Sequence, residues 1–164
     1  MEITVNEAEP EDSINRCIMI TTCTAEGDIF HVPPHWHMNH QEWLGVVEGR
    51  VEITLDGKPA ILKAGDPDVL VGRRVVHSVR AFKGERLVLT EKPDPAGIYK
   101  ALFFNDLLSK GGFKEGGIWH ILRSFYDGDT YLALPLRWQP IDQVFITVFG
   151  SIARLFTSRK PQAL

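Results

Sequence analysis

The sequence predicts a mainly β domain, a sandwich or closed barrel, followed by a helical extension. Three observations predict it. Between Cys17 and Glu91 short runs alternate apolar with polar residues, the period of half-buried strands. Turn residues separate those runs at close and even spacing, as in closed or layered β folds. Past Glu91 the apolar spacing lengthens to that of helices.

The predicted strands are "CIMITT" from Cys17, "DIFHV" from Asp28, "EWLGVVEG" from Glu42 and "RVEITL" from Arg50. "AILKAG" from Ala60, "DVLVG" from Asp68, "VHSVRAF" from Val76 and "RLVLTE" from Arg86 complete the set. Gly27, Gly49, Gly65-Asp66-Pro67 and Lys83-Gly84 punctuate them. Asp56-Gly57 signals a two-residue hairpin, because a type I′ turn needs positive φ at both positions. Asp94-Pro95 then reads as an N-cap and first-turn proline for "AGIYKALFFNDLLSK", a helix ending at Gly111-Gly112. Ile118, Ile121, Leu122 and Phe125 fall at helical spacing. A final stripe of Ile141, Val144, Phe145, Val148, Phe149, Ile152, Leu155 and Phe156 predicts an amphipathic helix ending near Arg154, Arg159 and Lys160. The expected organisation is an N-terminal arm plus barrel over residues 1–94 and a helical extension over 95–164.

Composition narrows the class. The 164 residues are 44% hydrophobic and 24% charged, values that suit a globular chain with a real core. A net charge of −3 points away from nucleic acid or an anionic membrane as main partner. "MEITVNEAEPEDSINR" has neither a basic start nor an apolar core, so it reads as no secretory signal, and a cytoplasmic setting is expected. Cys17 and Cys23 read as small buried hydrophobes rather than a disulfide. The terminal stripe is interrupted by Asp142, Gln143, Thr147 and Arg154, so it is too short to span a bilayer. It is expected to pack on the barrel or a second subunit in preference to a membrane surface.

The chemistry concentrates in "HVPPHWHMNHQEWLGVVEG", His31 to Gly49, which holds four of the six histidines. Residues i and i+2 of a strand share a face, so His35 and His37 project together. Glu42 heads the inward set that includes Leu44 and Val46, a costly place for a carboxylate unless it is paired or bound to a cation. His77 shares parity with Val79 and Ala81. Three imidazoles and one carboxylate directed into one barrel suit a divalent first-row metal. His40 falls in the turn with the wrong parity for a ligand and is expected to touch the ligands or substrate. His31 is expected at the mouth or in solvent, and His120 as a hydrogen-bonded structural histidine. Arg74, beside Arg73, is a candidate for holding an anionic or phenolate group. Trp36 and Trp43, pointing away from the interior by parity, suit an interface or packing by the extension.

The same residues carry a family resemblance. His35, His37, Glu42 and Gly49, with gaps of one, four and six residues, resemble the first motif of the cupin superfamily. "GDPDVLVGRRVVHSV", from Gly65 to Val79, resembles the second motif, with His77 as its histidine. "VGRR" stands there in place of the usual Pro-x-Gly turn. The resemblance covers roughly residues 17 to 91. It implies a cupin-type double-stranded β-helix, a jelly-roll barrel, in a small single-domain metalloprotein that forms a homodimer.

The metal site and the resemblance together imply an enzyme acting on a small organic molecule, aromatic or carbonyl-containing, with no nucleic-acid partner. An Fe(II) dioxygenase or oxidoreductase is favoured, with Mn2+, Ni2+ or Zn2+ as other metals. The resemblance also points to small-molecule tailoring, polyketide metabolism included. The alternatives are Lewis-acid chemistry in an isomerase, cyclase, decarboxylase or dehydratase, and a non-catalytic ligand-binding barrel. His40 and Arg74 are the candidate catalytic groups. A transcription regulator is disfavoured, since nothing resembling a helix-turn-helix precedes the barrel.

Overall fold

The computed structural model describes residues 2–27 and 29–161. The chain forms two compact units, Met1–Gly97 and Ile98–Leu164. The first contains nine strands: β1 (Glu2–Val5), β2 (Cys17–Cys23), β3 (His31–Trp36), β4 (Gln41–Glu48), β5 (Arg50–Leu55), β6 (Lys58–Lys63), β7 (Val69–Val71), β8 (His77–Ala81) and β9 (Leu87–Asp94). They pair antiparallel in two sheets, one ordered β1-β2-β9-β4-β7 and the other running β3-β8-β5-β6.

The facing sides of the two sheets share one core. Leu44 and Val46 of β4, Val71 of β7, and Leu87 and Leu89 of β9 meet Val51 and Ile53 of β5, Leu62 of β6, and Val79 and Ala81 of β8. These residues sit at every second position, so the parity read from the sequence is the parity that packs. Val47, at the opposite parity, is exposed. Cys17 is buried, Cys23 packs beside the core, and both are free thiols whose pKa burial pushes up.

Two turns fix the register. Asp56 (φ 47°) and Gly57 (φ 79°) are both left-handed, as the hairpin between β5 and β6 requires, and Leu55 pairs with Lys58 across it. Gly49, between β4 and β5, has φ 80°, and a Cβ there would overlap the Arg86 carbonyl. That position needs glycine for its backbone angle and for its lack of a side chain.

Several expectations need correction. β1 has no counterpart among the predicted strands; it lies at the edge of its sheet, three of its four residues are exposed, and it has no alternating apolar face to read. The strand expected from Asp28 begins at His31, and Asp28 itself lies outside the described residues. Asp94-Pro95, a cis peptide, does not cap a helix. Asp94 ends β9 opposite Gln41, whose amide donates to its carboxylate at 2.8 Å.

The second unit holds α1 (Tyr99–Leu108), α2 (Gly112–Glu115), α3 (Gly117–Asp127), the two-residue strand β10 (Tyr131–Leu132) and α4 (Gln139–Ala153). Leu122 and Phe125 of α3 are buried, whereas Ile118 is exposed. A buried ionic network replaces the expected apolar continuity. Asp106 of α1 accepts from both terminal nitrogens of Arg123 and from Ser124 Oγ, and its carbonyl meets His120 Nε2 at 2.9 Å. His120 is thus the hydrogen-bonded structural histidine expected. α4 buries Asp142, Ile146, Gly150 and Ala153, while most of the predicted stripe faces outward. The small residues explain the choice: a Cβ on Gly150 would strike Tyr126 and the Leu122 carbonyl, so α3 and α4 approach where α4 is thinnest.

Gly49→Ala should lower unfolding stability by about 2 kcal/mol or more, combining a left-handed penalty of roughly 1–2 kcal/mol with the overlap. Gly57→Ala, with open space around it, should cost only the penalty. Urea denaturation of the two variants checks the difference; equal losses would contradict the overlap.

Candidate metal centre

Pro33-Pro34 sits inside β3, where neither residue can donate to the ladder. The pairing with β8 shifts there: Val32 lies opposite Val79, but His35 lies opposite His77. Without that bulge His35 would face Val76, so the proline pair sets two imidazoles across from each other. Their rings lie 4.0 Å apart, centroid to centroid. His37 falls just beyond β3 rather than within it, and its ring stands 5.0 Å from that of His35 and 5.2 Å from that of His77. Glu42 enters from β4, in the facing sheet.

His35, His37, Glu42 and His77 each offer a ligand atom, all within 4.8 Å of one another, and all four residues are buried. The four predicted ligands thus come together in one place, contributed by both sheets.

Backbone carbonyls orient two of the rings. His35 Nδ1 lies 2.9 Å from the Pro33 carbonyl, and His77 Nδ1 lies 3.1 Å from that of Val75. An acceptor at Nδ1 places a proton there, and the neutral ring then carries its lone pair at Nε2. His77 Nε2 lies 2.8 Å from Glu42 Oε1, and His37 Nε2 lies 3.4 Å from Glu42 Oε2. Yet His77 Nε2 makes no hydrogen bond among the described residues. At 2.8 Å from Glu42 Oε1 it is close enough for the two atoms to share one ion. A buried carboxylate beside imidazole nitrogens favours positive charge among them. The donors therefore fit a divalent cation: three imidazole nitrogens and one carboxylate oxygen, with two imidazoles held by carbonyls.

The remaining predicted residues lie nearby. His40 is buried and stacks on the His37 ring at 4.1 Å, outside the four-donor set. Arg74 is exposed, with its guanidinium 5.8 Å from the ring centre of Trp36, and its amide donates to the His37 carbonyl at 2.7 Å. Its φ of 62° carries the left-handed step of the "VGRR" turn, at a cost of roughly 1–2 kcal/mol for a residue with a Cβ. Trp36 is fully buried within this chain, so it is no subunit contact. Trp43 is half-buried, and His31 and Arg73 are exposed. The sequence reasoning missed the carbonyls of Pro33 and Val75, which have no side-chain signature; the Pro-Pro pair was the available signal.

Residues 24–91 match the family model described as the cupin domain. This segment is a cupin domain. The two antiparallel sheets around one core are its double-stranded β-helix, and helices follow it in the chain.

Among solved structures, a cupin protein from Bacteroides fragilis aligns at 23% identity over 49% of this chain and 66% of its own, with TM-score 0.41. A protein with a double-stranded β-helix domain from Klebsiella pneumoniae aligns at 20% identity over 58% of this chain and 75% of its own, with TM-score 0.45. A variant of salicylate 1,2-dioxygenase from Pseudoaminobacter salicylatoxidans aligns at 22% identity over 48% of this chain, with TM-score 0.41. The aligned part spans only 22% of that dioxygenase chain. No curated protein compared with the sequence matches it.

Manganese or zinc at about a hundred times its dissociation constant should stabilise the folded protein by about 2.7 kcal/mol. His77→Ala should abolish most of that gain while the metal-free protein still unfolds cooperatively. Thermal melts with and without metal measure both; an unchanged gain in His77→Ala would remove His77 from the donor set.

Proposed function

We propose that the protein is a metal-dependent cupin enzyme acting on a small organic molecule, with an iron(II) dioxygenase or related oxidoreductase as the favoured chemistry. The observation that carries this reading is the donor set: His35, His37, His77 and Glu42, buried and converging within 4.8 Å. Around a six-coordinate ion such as iron(II), four protein donors leave positions open for small molecules, which separates catalytic from closed structural sites. Iron(II), when bound, would supply activation of dioxygen and of a coordinating substrate.

The chain's own residues do the positioning. The Pro33 and Val75 carbonyls fix the donor tautomers of His35 and His77. Glu42 brings one negative charge to the donor set, which three neutral imidazoles alone would lack. The Arg74 guanidinium over Trp36 offers a flat cationic group at the surface, suited to a carboxylate or phenolate on an aromatic substrate.

A second reading rests on His40. Its ring is buried against His37, where it can move a proton to or from a substrate. That arrangement suits non-redox chemistry, in which a carbonyl is polarised while His40 acts as base, as in an isomerase or lyase.

Protein purified without chelator or a metal-affinity column should contain a first-row metal, and the iron form should consume dioxygen with phenolic substrates. Full turnover under anaerobic conditions with zinc would select the second reading, and His40→Ala should then cost roughly 10²-fold or more in kcat. Failure to retain or bind any divalent metal would falsify both.

A further inference from the structure

The apolar stripe of α4 is left uncovered. Val144 is 62% exposed and Val148 47%; just past the helix, Leu155 and Phe156 are 78% and 70% exposed. Phe149 and Ile152 continue this side at helical spacing, both exposed. The Trp119 ring of α3 extends it, 5.9 Å from that of Phe156, and exposed Trp138 stands at the other end of the helix. The only charged side chain on α4 is Asp142, which is buried. An exposed apolar strip of this extent marks an interaction site.

The charge around the strip identifies the occupant. Residues 98–164 hold eight Lys and Arg against five Asp and Glu, a net of +3, whereas residues 1–97 hold ten against sixteen, a net of −6. Asp106 pairs with Arg123 and Asp127 with Arg154, which leaves the excess of positive charge unchanged. Exposed Arg137 precedes the helix and exposed Arg159 follows it. Tryptophan and arginine bracketing an uncharged strip match the boundary between acyl chains and anionic headgroups. A second copy docking through the same strip would set these arginines against each other. At 15 residues α4 is about 22 Å long. That is short of the ~30 Å hydrocarbon core, and no helix among the described residues is long and apolar enough to cross a membrane.

We propose that the outer face of α4, with Trp119, Trp138 and Phe156, docks the protein onto an anionic lipid surface, the helix lying in the interface. The test is co-sedimentation of the full chain with phosphatidylcholine vesicles, with and without phosphatidylserine. Binding is expected to the anionic vesicles, weakened by salt. Val148→Asp, at an exposed position that folding does not need, should reduce the bound-to-free ratio about tenfold or more. Arg159→Glu should weaken binding to anionic vesicles and leave the neutral ones unaffected. Circular dichroism and metal content of both variants should match the parent, separating a lipid defect from misfolding. No binding to anionic vesicles overturns the proposal. A concentration-dependent dimer that Val148→Asp dissociates, without vesicle binding, overturns it in favour of a second copy.

Discussion

His77 Nε2 and Glu42 Oε1 stand 2.8 Å apart in the buried interior. Positive charge near both atoms stabilises such a pair. The Val75 carbonyl at Nδ1 holds the ring so that Nε2 lies beside the carboxylate. A cation held among the four donors would satisfy both atoms, and His35 and His37 as well. The site and the barrel are thus one construction: the sheets hold together a four-donor cluster that could bind a metal ion.

That construction depends on register. A shift of one residue in a strand turns each side chain to the opposite face. The bulge at Pro33-Pro34 advances β3 by one residue against β8, bringing His35 opposite His77. On β4 the core parity of Leu44 and Val46 carries Glu42 inward with them. The same alternation that packs the core therefore loads the site. Apolar substitutions in β4 or β8 that disturbed register would displace donors as well as core residues.

Parity and turn chemistry were legible because both are local. Asp56-Gly57 announced its hairpin through the one conformation glycine adopts easily, and His77 could be assigned an inward direction from Val79 and Ala81. What stayed hidden depends on partners distant in the chain. β1 is stabilised by pairing with β2 rather than by an apolar face of its own. Asp94 has a capping residue's chemistry, but Gln41, 53 residues away, draws its carboxylate to the sheet. His37 reaches the cluster from a loop, where the i, i+2 rule for strands no longer applies. The positive φ of Arg74 shows the same effect from the other side, since the turn keeps its left-handed step although no glycine occupies it.

The second unit shows why an apolar stripe alone does not say which way a helix faces. On α4 the larger residues made the stripe, yet Gly150 and Ala153 decided the packing, because only small side chains let α3 come close. The same choice turned Val144, Val148 and Ile152 outward. Net charge is likewise a composite: −3 for the whole chain is the sum of an acidic unit that holds the His/Glu cluster and a basic unit that bears the apolar face. Partner chemistry is set at the surface that meets the partner, so charge has to be counted unit by unit. Counted so, the positive balance of residues 98–164 is the charge on which the proposed docking relies.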